Sequence, residues 1–315
     1  MKNVIIPAAI LAFHLSLGTG FAAPAAVPLP FQETFEDAGL ASRGWYDSTT
    51  LKLSAQEHLP AGSRSAAEYH FPKGAKVPEQ SGGSLRKKFA ESDSVYLGFY
   101  IKHSSNWAGS GMPYHPHEFY FLTNKDGGEC KDHCGPSVTH LTVYVEENGG
   151  KPSLEIQDVL NIDQSRIGKD LSAITEQRSV AGCNGYSHAD GAGPEDCYRH
   201  KGGYRNDKTW RTDKAYFQDK PGPYYKGDWH HIEAFFKLNS IVNGKGIADG
   251  VLEYWYDGTL LISHHNVLFR TGQQPDMKFN QLIIAPYIGD GSPVDQTLWI
   301  DDLTVATSRP AVAAP

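Results

Sequence analysis

Residues 251–263 read VLEYWYDGTLLIS, and this run decides the fold class. Asp257-Gly258 separates two period-2 segments, Val251–Tyr256 and Thr259–Ser263. An Asp-Gly pair between alternating apolar residues is the strongest short signal for a two-residue hairpin turn. Just upstream, residues 229–238 read WHHIEAFFKL. Alternation there sends Ile232, Ala234, Phe236 and Leu238 one way and His231, Glu233, Phe235 and Lys237 the other. Working outward, comparable segments recur at Ala66–Phe71, Ser84–Phe89, Val95–Lys102, Glu118–Thr123, His140–Glu146, Ser153–Gln157, Asn280–Tyr287 and Thr297–Ala306. Gly, Pro, Asn or Asp bounds each of them, and no helix of usual length announces itself. Many strands with few helices predict an all-β sandwich or barrel.

The flanks set the boundaries. Lys2, the apolar run Val4–Leu17 and the small residues Gly18, Gly20, Ala22 and Ala23 follow the order of a secretory signal peptide. The apolar run is too short to span a bilayer. Residues 1–23 are therefore expected to be a leader, 24–307 a single secreted domain and 308–315 a loose Pro/Ala tail. The stretch 164–227 breaks the strand rhythm and reads as a long insert. Ile167–Ile174 can form a helical turn, and Tyr198, Tyr204 and Trp210 argue for an ordered loop over one face. Four cysteines in an exported chain read as two disulfides. Pairing Cys130 with Cys134 and Cys183 with Cys197 is the simplest of three connectivities. Cys130–Cys134 also has the look of a metal knuckle, but the second pair lacks the matching spacing.

A formal charge of -7 over 315 residues gives no electrostatic case for binding nucleic acid or an anionic membrane. It leaves an anionic polysaccharide open, because a local basic cleft can sit on an acidic protein. The alternation also sorts faces. Leu141, Val143 and Val145 point to the core, leaving His140 and Tyr144 outward; Phe119 and Phe121 point in, leaving Glu118 and Tyr120; Glu253 and Trp255 oppose Leu252, Tyr254 and Tyr256. The non-core face is thus rich in His, Tyr, Glu, Lys and Trp.

In order along the chain stand FQETFE (31–36), DWHHI (228–232), GVLEYWYDG (250–258) and WIDDL (299–303). This succession resembles the concanavalin A-like, laminin G-like jelly rolls, and within them the secreted polysaccharide lyases. The resemblance implies a jelly-roll β-sandwich of two antiparallel sheets, carrying the disulfide-bearing insert, that cleaves an acidic, uronate-containing glycan by β-elimination. Two departures stand out. The Glu-x-Asp-x-x-Glu strand of the retaining β-glucanases is not matched by Glu155–Asp158, and the Arg-x-Glu and Gln-x-His strands of alginate lyases are absent.

A β-eliminating lyase must neutralise a uronate carboxylate, take the C5 proton and protonate the leaving oxygen. His and Tyr suit proton transfer, because their protonation is tunable near working pH. His140 and Tyr144, four apart on one strand, share a face at about 13 Å, so a partner from a neighbouring strand is needed. Tyr120, His117 or His231 can supply it. Arg199, Arg205 and Arg211 in the insert are candidate carboxylate clamps. Glu118, Glu233 and Lys237 are expected to line the same cleft, with Trp107, Trp210 and Trp255 as sugar-stacking platforms. The alternatives are a non-catalytic lectin-like module using that face, a surface protein without a glycan, and a hydrolase built on Glu118 and Glu233. Beside Glu118, the two histidines flanking Pro116, His115 and His117, lack a third metal ligand at fixed spacing. Asp301 shares a row with Trp299, Leu303 and Val305, where a carboxylate needs a partner or a cation. If the terminal strands pair, Glu36 lies nearby and the two can hold a structural calcium ion; otherwise Asp301 caps a strand end. No organic cofactor is implied, and a monomer is expected.

Overall fold

A computed structural model describes residues 29–110, 117–126, 139–158, 199–200, 203–204, 206–272 and 274–311. Two antiparallel sheets stack face to face, and strands are numbered in chain order. The front sheet holds β2 (Trp45–Asp47), β5 (Leu85–Ser92), β7 (His117–Thr123), β8 (Thr142–Asn148), β9 (Lys151–Asp158), β12 (Asn206–Arg211) and β18 (Phe279–Tyr287). Their spatial order is β12-β9-β8-β7-β18-β5-β2. The back sheet holds β1 (Phe31–Glu33), β3 (Lys52–Ser54), β4 (Ala66–Phe71), β6 (Ser94–His103), β13 (His230–Lys237), β16 (Gly250–Tyr256), β17 (Thr259–Val267) and β19 (Gln296–Ala306). It runs β17-β16-β13-β6-β19-β4-β3, with β1 also paired to β19. Two small hairpins, β10 (Arg199–His200) with β11 (Gly203–Tyr204) and β14 (Ile241–Val242) with β15 (Lys245–Gly246), complete the described strands.

The inward rows make the core. Phe99 of β6 meets Phe119 of β7 at 4.3 Å between ring centroids, and Phe121 meets Phe89, Phe236 and Phe279 at 6.1–6.4 Å. All six rings of that web are essentially inaccessible. Each such ring removed from water stabilises the fold by roughly 1.5–3 kcal/mol, so interdigitation of the two sheets holds the sandwich together. The Asp257-Gly258 turn forms as its sequence demands: both residues have positive φ, 48° and 77°, and they join β16 to β17.

Every segment singled out by alternation contains a strand of the structure. Those not foreseen are the two-residue strands β10, β11, β14 and β15, the strands β1, β2 and β3, too short at three residues each to show a period, and β12, whose NDKTWR holds a single large apolar residue. Within 164–227, read from the sequence as a long loop insert, β12 joins the front sheet. It pairs with β9 along six residues, Phe217 is buried in the core, and Tyr216 and Tyr224 pack against it. The cysteines Cys130, Cys134, Cys183 and Cys197, the leader and Ile167–Ile174 lie outside the described residues. Among the described residues no helix is long and apolar enough to cross a membrane.

Candidate active site

The outer face of the front sheet carries one continuous row of cross-strand neighbours. Tyr46 pairs with Arg86, Arg86 with Ile283, Ile283 with Tyr120, Tyr120 with Tyr144, Tyr144 with Glu155 and Glu155 with Thr209. Facing residues in such ladders stand about 5 Å apart, so the row crosses the whole sheet. Its centre is aromatic: Tyr120 and Tyr144 meet edge to face at 4.9 Å. His117, at the start of β7, lies 5.4 Å from Tyr144 and 5.7 Å from Tyr120, and stacks over Tyr287 at 6.4 Å.

Polar partners fix these groups. The Tyr144 hydroxyl donates to Gln157 Oε1 at 2.8 Å, and His117 Nδ1 is hydrogen-bonded to Glu146. Burial pushes the Glu146 carboxyl well up, against the pull of the Arg211 guanidinium, and burial likewise raises the Tyr120 phenol. On the other side of the row, Arg86 donates through Nε to Asp47 at 2.9 Å and through Nη1 to Gln281 at 3.1 Å. Gln281 in turn donates to the Tyr46 hydroxyl at 2.6 Å. Sequence reasoning passed over Arg86, Gln281 and Gln157, although alternation against Leu85, Leu282 and Ile156 marks all three as outward.

Of the residues expected at the site, the structure brings together Tyr120, Tyr144 and His117, with Arg211 beside Glu146. The others go elsewhere. His140 falls two residues before β8, so the shared-face spacing to Tyr144 does not apply; its ring and its backbone N–H are both held by Asp126 at 2.7–3.0 Å. His231, Glu233, Lys237 and Trp255 lie on the outer face of the back sheet, across the core from Tyr144. There Glu233 accepts from Tyr96 at 2.9 Å and is gripped by Arg309 at 2.7 Å through two nitrogens. The Arg309 guanidinium also covers the Trp255 ring at 4.5 Å. His231 packs on Tyr100, with centroids 4.6 Å apart. Alternation distinguishes inside from outside, but both sheets have an outside.

Three further placements follow from local geometry. Trp107 is buried against His103 and Phe71, with its indole N–H on Glu147, so it belongs to the core rather than to a rim platform. Trp210 faces inward as the pair of Leu154 and packs against the core. Glu118 turns inward too, because the β7–β18 ladder is irregular between Ile284 and Tyr287. That slip puts His117 on the Tyr120 face and Glu118 between the sheets, and it separates Glu118 from Glu233. The expected Arg205 lies outside the described residues, as do the side-chain surroundings of Arg199.

Glu118, Glu147 and His103 converge inside the sandwich with ligand atoms within 4.8 Å of one another. Burial raises both carboxyls and lowers the His103 imidazole to about 3. The expected calcium ligands have protein donors. Glu36 accepts from Arg64 N and Nε at 2.9 Å each. Asp301 accepts from Leu59 N at 3.0 Å, Ser63 Oγ at 2.8 Å and Asp302 N at 2.8 Å. The terminal strands do pair, β1 with β19.

Among solved structures the chain is similar to a marine alginate lyase from Aplysia kurodai, at 11% identity over 90% of this chain and 100% of that one, with a TM-score of 0.51. It is also similar to an alginate lyase from Chlorella virus (13% identity, 88% of this chain, 100% of that one, TM-score 0.49). A third is the endo-β-1,4-glucuronan lyase of the fungus Trichoderma reesei (13%, 82%, 87%, TM-score 0.46). At such identities the first of these supports the jelly-roll fold and nothing finer. No curated protein sequence matches. A family model described as polysaccharide lyase matches residues 67–304, from β4 into the closing strand β19, and so takes in most of both sheets and His117, Tyr120, Tyr144, Glu146 and Gln157. On that match, the chain belongs to the polysaccharide lyase family.

Proposed function

We propose that the outer face of the front sheet is the catalytic cleft, where a uronate-containing polysaccharide is cleaved by β-elimination. The observation that carries this is the convergence of two proton-transfer groups, the Tyr144 hydroxyl and the His117 imidazole, each held by its own partner, Gln157 and Glu146. His117 takes the C5 proton, and Glu146 orients the ring through its Nδ1. The C5–H electron pair forms the C4=C5 double bond as the C4–O bond breaks, and Tyr144 delivers a proton to the departing glycosidic oxygen. Proton exchange with water then resets both groups. Elimination requires the substrate carboxylate to be neutralised, and guanidinium and amide donors do this best through paired hydrogen bonds. Arg211 and Gln157 lie to one side of Tyr144, Arg86 and Gln281 to the other.

The test is ultraviolet absorbance of the unsaturated uronate product on a panel of alginate, glucuronan, pectin and glycosaminoglycans. Alginate comes first, because the Aplysia neighbour is an alginate lyase. Absence of product on every uronate polymer tried would sink the reading, and retained binding on an affinity gel would then favour a lectin-like module.

Export belongs to the same proposal, supported by the order of basic, apolar and small residues in 1–23; the mature N-terminus of secreted protein tests it. The two local disulfides are tested by non-reducing peptide mapping. Structural calcium at Glu36 and Asp301 is tested by melting in calcium: a rise lost in Glu36→Gln supports it, and no rise leaves both carboxylates to their protein donors.

A further inference from the structure

Behind the candidate cleft, inside the sandwich, three ionisable side chains meet, two of them with buried polar atoms left over. His103 ends β6 of the back sheet, Glu118 stands on β7 and Glu147 on β8 of the front sheet. Their relative exposures are 0%, 3% and 2%. Among the described residues neither ring nitrogen of His103 has a partner, and Glu118 Oε1 has none. Leaving such atoms buried and unpaired is costly, more so for charged groups. Two buried carboxylates with no cation bonded to either among the described residues are costlier still. Lys226 is the nearby cation, but its ammonium is engaged by Asp219 and the Trp107 carbonyl.

We propose that His103, Glu118 and Glu147 form a buried site for a divalent transition-metal ion that ties the two sheets together behind the Tyr144 face. One imidazole and two carboxylates are a ligand set for zinc or a neighbouring first-row ion; calcium favours oxygen-only shells. The ligand atoms lie within 4.8 Å of one another, so a point equidistant from them is at most about 2.8 Å from each, and small side-chain rotations reach coordination distances of about 2.0–2.2 Å. Glu147 is already oriented as a ligand should be, accepting from Trp107 Nε1 at 3.1 Å and from Gly150 N at 2.8 Å. His103 is fixed by Trp107 at 4.8 Å and by the edge of Phe217 at 5.0 Å. The divalent charge balances the two carboxylates. A cavity of about 480 Å³ lined by Trp107, Gly150, Phe217 and Lys226 reaches Glu147 and gives an entry path. The site lies beside the irregularity of the β7–β18 ladder between Ile284 and Tyr287. Turning Glu118 inward turns His117 outward, so the ion anchors the backbone on which the His117–Glu146 pair stands.

The full mature chain is stripped with a chelator, desalted, and offered zinc, manganese or calcium; metal content and melting temperature are then read. The expected result is about one tightly held zinc per chain with a raised melting temperature. His103→Gln and Glu118→Gln should each weaken zinc binding at least about tenfold, while Lys237→Ala retains it. If a variant does not fold, the stripped and reloaded wild-type chain still decides. Wild-type protein that retains no zinc or manganese and melts unchanged overturns the site and leaves the carboxyls protonated or hydrated. Zinc uptake that survives His103→Gln overturns it as well. The readout is metal content and stability, so it stands apart from the lyase reading.

Discussion

Tyr144 and His117 are adjacent in space because β7 and β8 pair through Tyr120 and Tyr144 and because β7 slips at its start. If they share one proton relay, Tyr144→Phe and His117→Asn should each lower kcat by about 100- to 10,000-fold with the melting curve retained. The double variant should then cost little more than either single one, since groups acting as a unit are not additive. Product formation on the responsive uronate polymer measures both. Activity within a few-fold of wild type in Tyr144→Phe would remove that hydroxyl from the chemistry. Tyr144 and Tyr120 were legible in the sequence as outward residues of alternating strands. His117 was placed by a ladder irregularity, which no spacing rule announces.

At the scale of elements, the hairpin and the C-terminal clamp offer separate tests. Gly258 holds φ of 77° in the β16–β17 turn, where a β-branched side chain is strained. Gly258→Val should cost about 1–2 kcal/mol by thermal or denaturant unfolding. Arg309 follows β19 and returns to grip Glu233 on β13 and to cover Trp255 on β16, so part of the stretch read as a loose tail fastens the back sheet. Arg309→Ala leaves a nearly buried carboxylate with only Tyr96 and, at 3.8 Å, His231 beside it, and should cost about 1–2 kcal/mol, discounted for the partial exposure of the guanidinium. The pH dependence has a definite sign. Burial pushes the Glu233 carboxyl up, but the hydrogen bonds from Arg309 and Tyr96 outweigh it and hold the group below its ordinary value. Its contribution is therefore present above about pH 4.3 and is lost as pH falls through the depressed folded value. The gap in melting temperature between wild type and Arg309→Ala should be widest near neutrality and close in acid. A gap that widens on acidification contradicts this linkage.

For the molecule as a whole, a sandwich has two outer faces separated by roughly 10 Å of core. Assigning the chemistry to the front one makes a prediction about the other. His231→Ala and Lys237→Ala, on the back face, should leave kcat/KM within about twofold, the range ordinary for surface changes away from a site. Arg86→Met and Gln157→Ala, on the front face, should lower it strongly. A large loss from Lys237→Ala with front-face variants unharmed would move the cleft to the back sheet.

By itself the sequence determined the all-β class, the extents of the long strands and, for most of their residues, which side chains point inward, because period-2 alternation and the Asp-Gly turn are local properties of the chain. It also carried enough motif order for the lyase family to be recognised. Only the tertiary structure decided which outward residues share a face. Outwardness is set strand by strand, whereas membership of a sheet depends on pairing between strands distant in sequence, such as β18 with β7 and β13 with β6. The same long-range pairing brought Arg86 and Gln281 into the row with Tyr144, and turned Glu118 inward to meet His103 and Glu147.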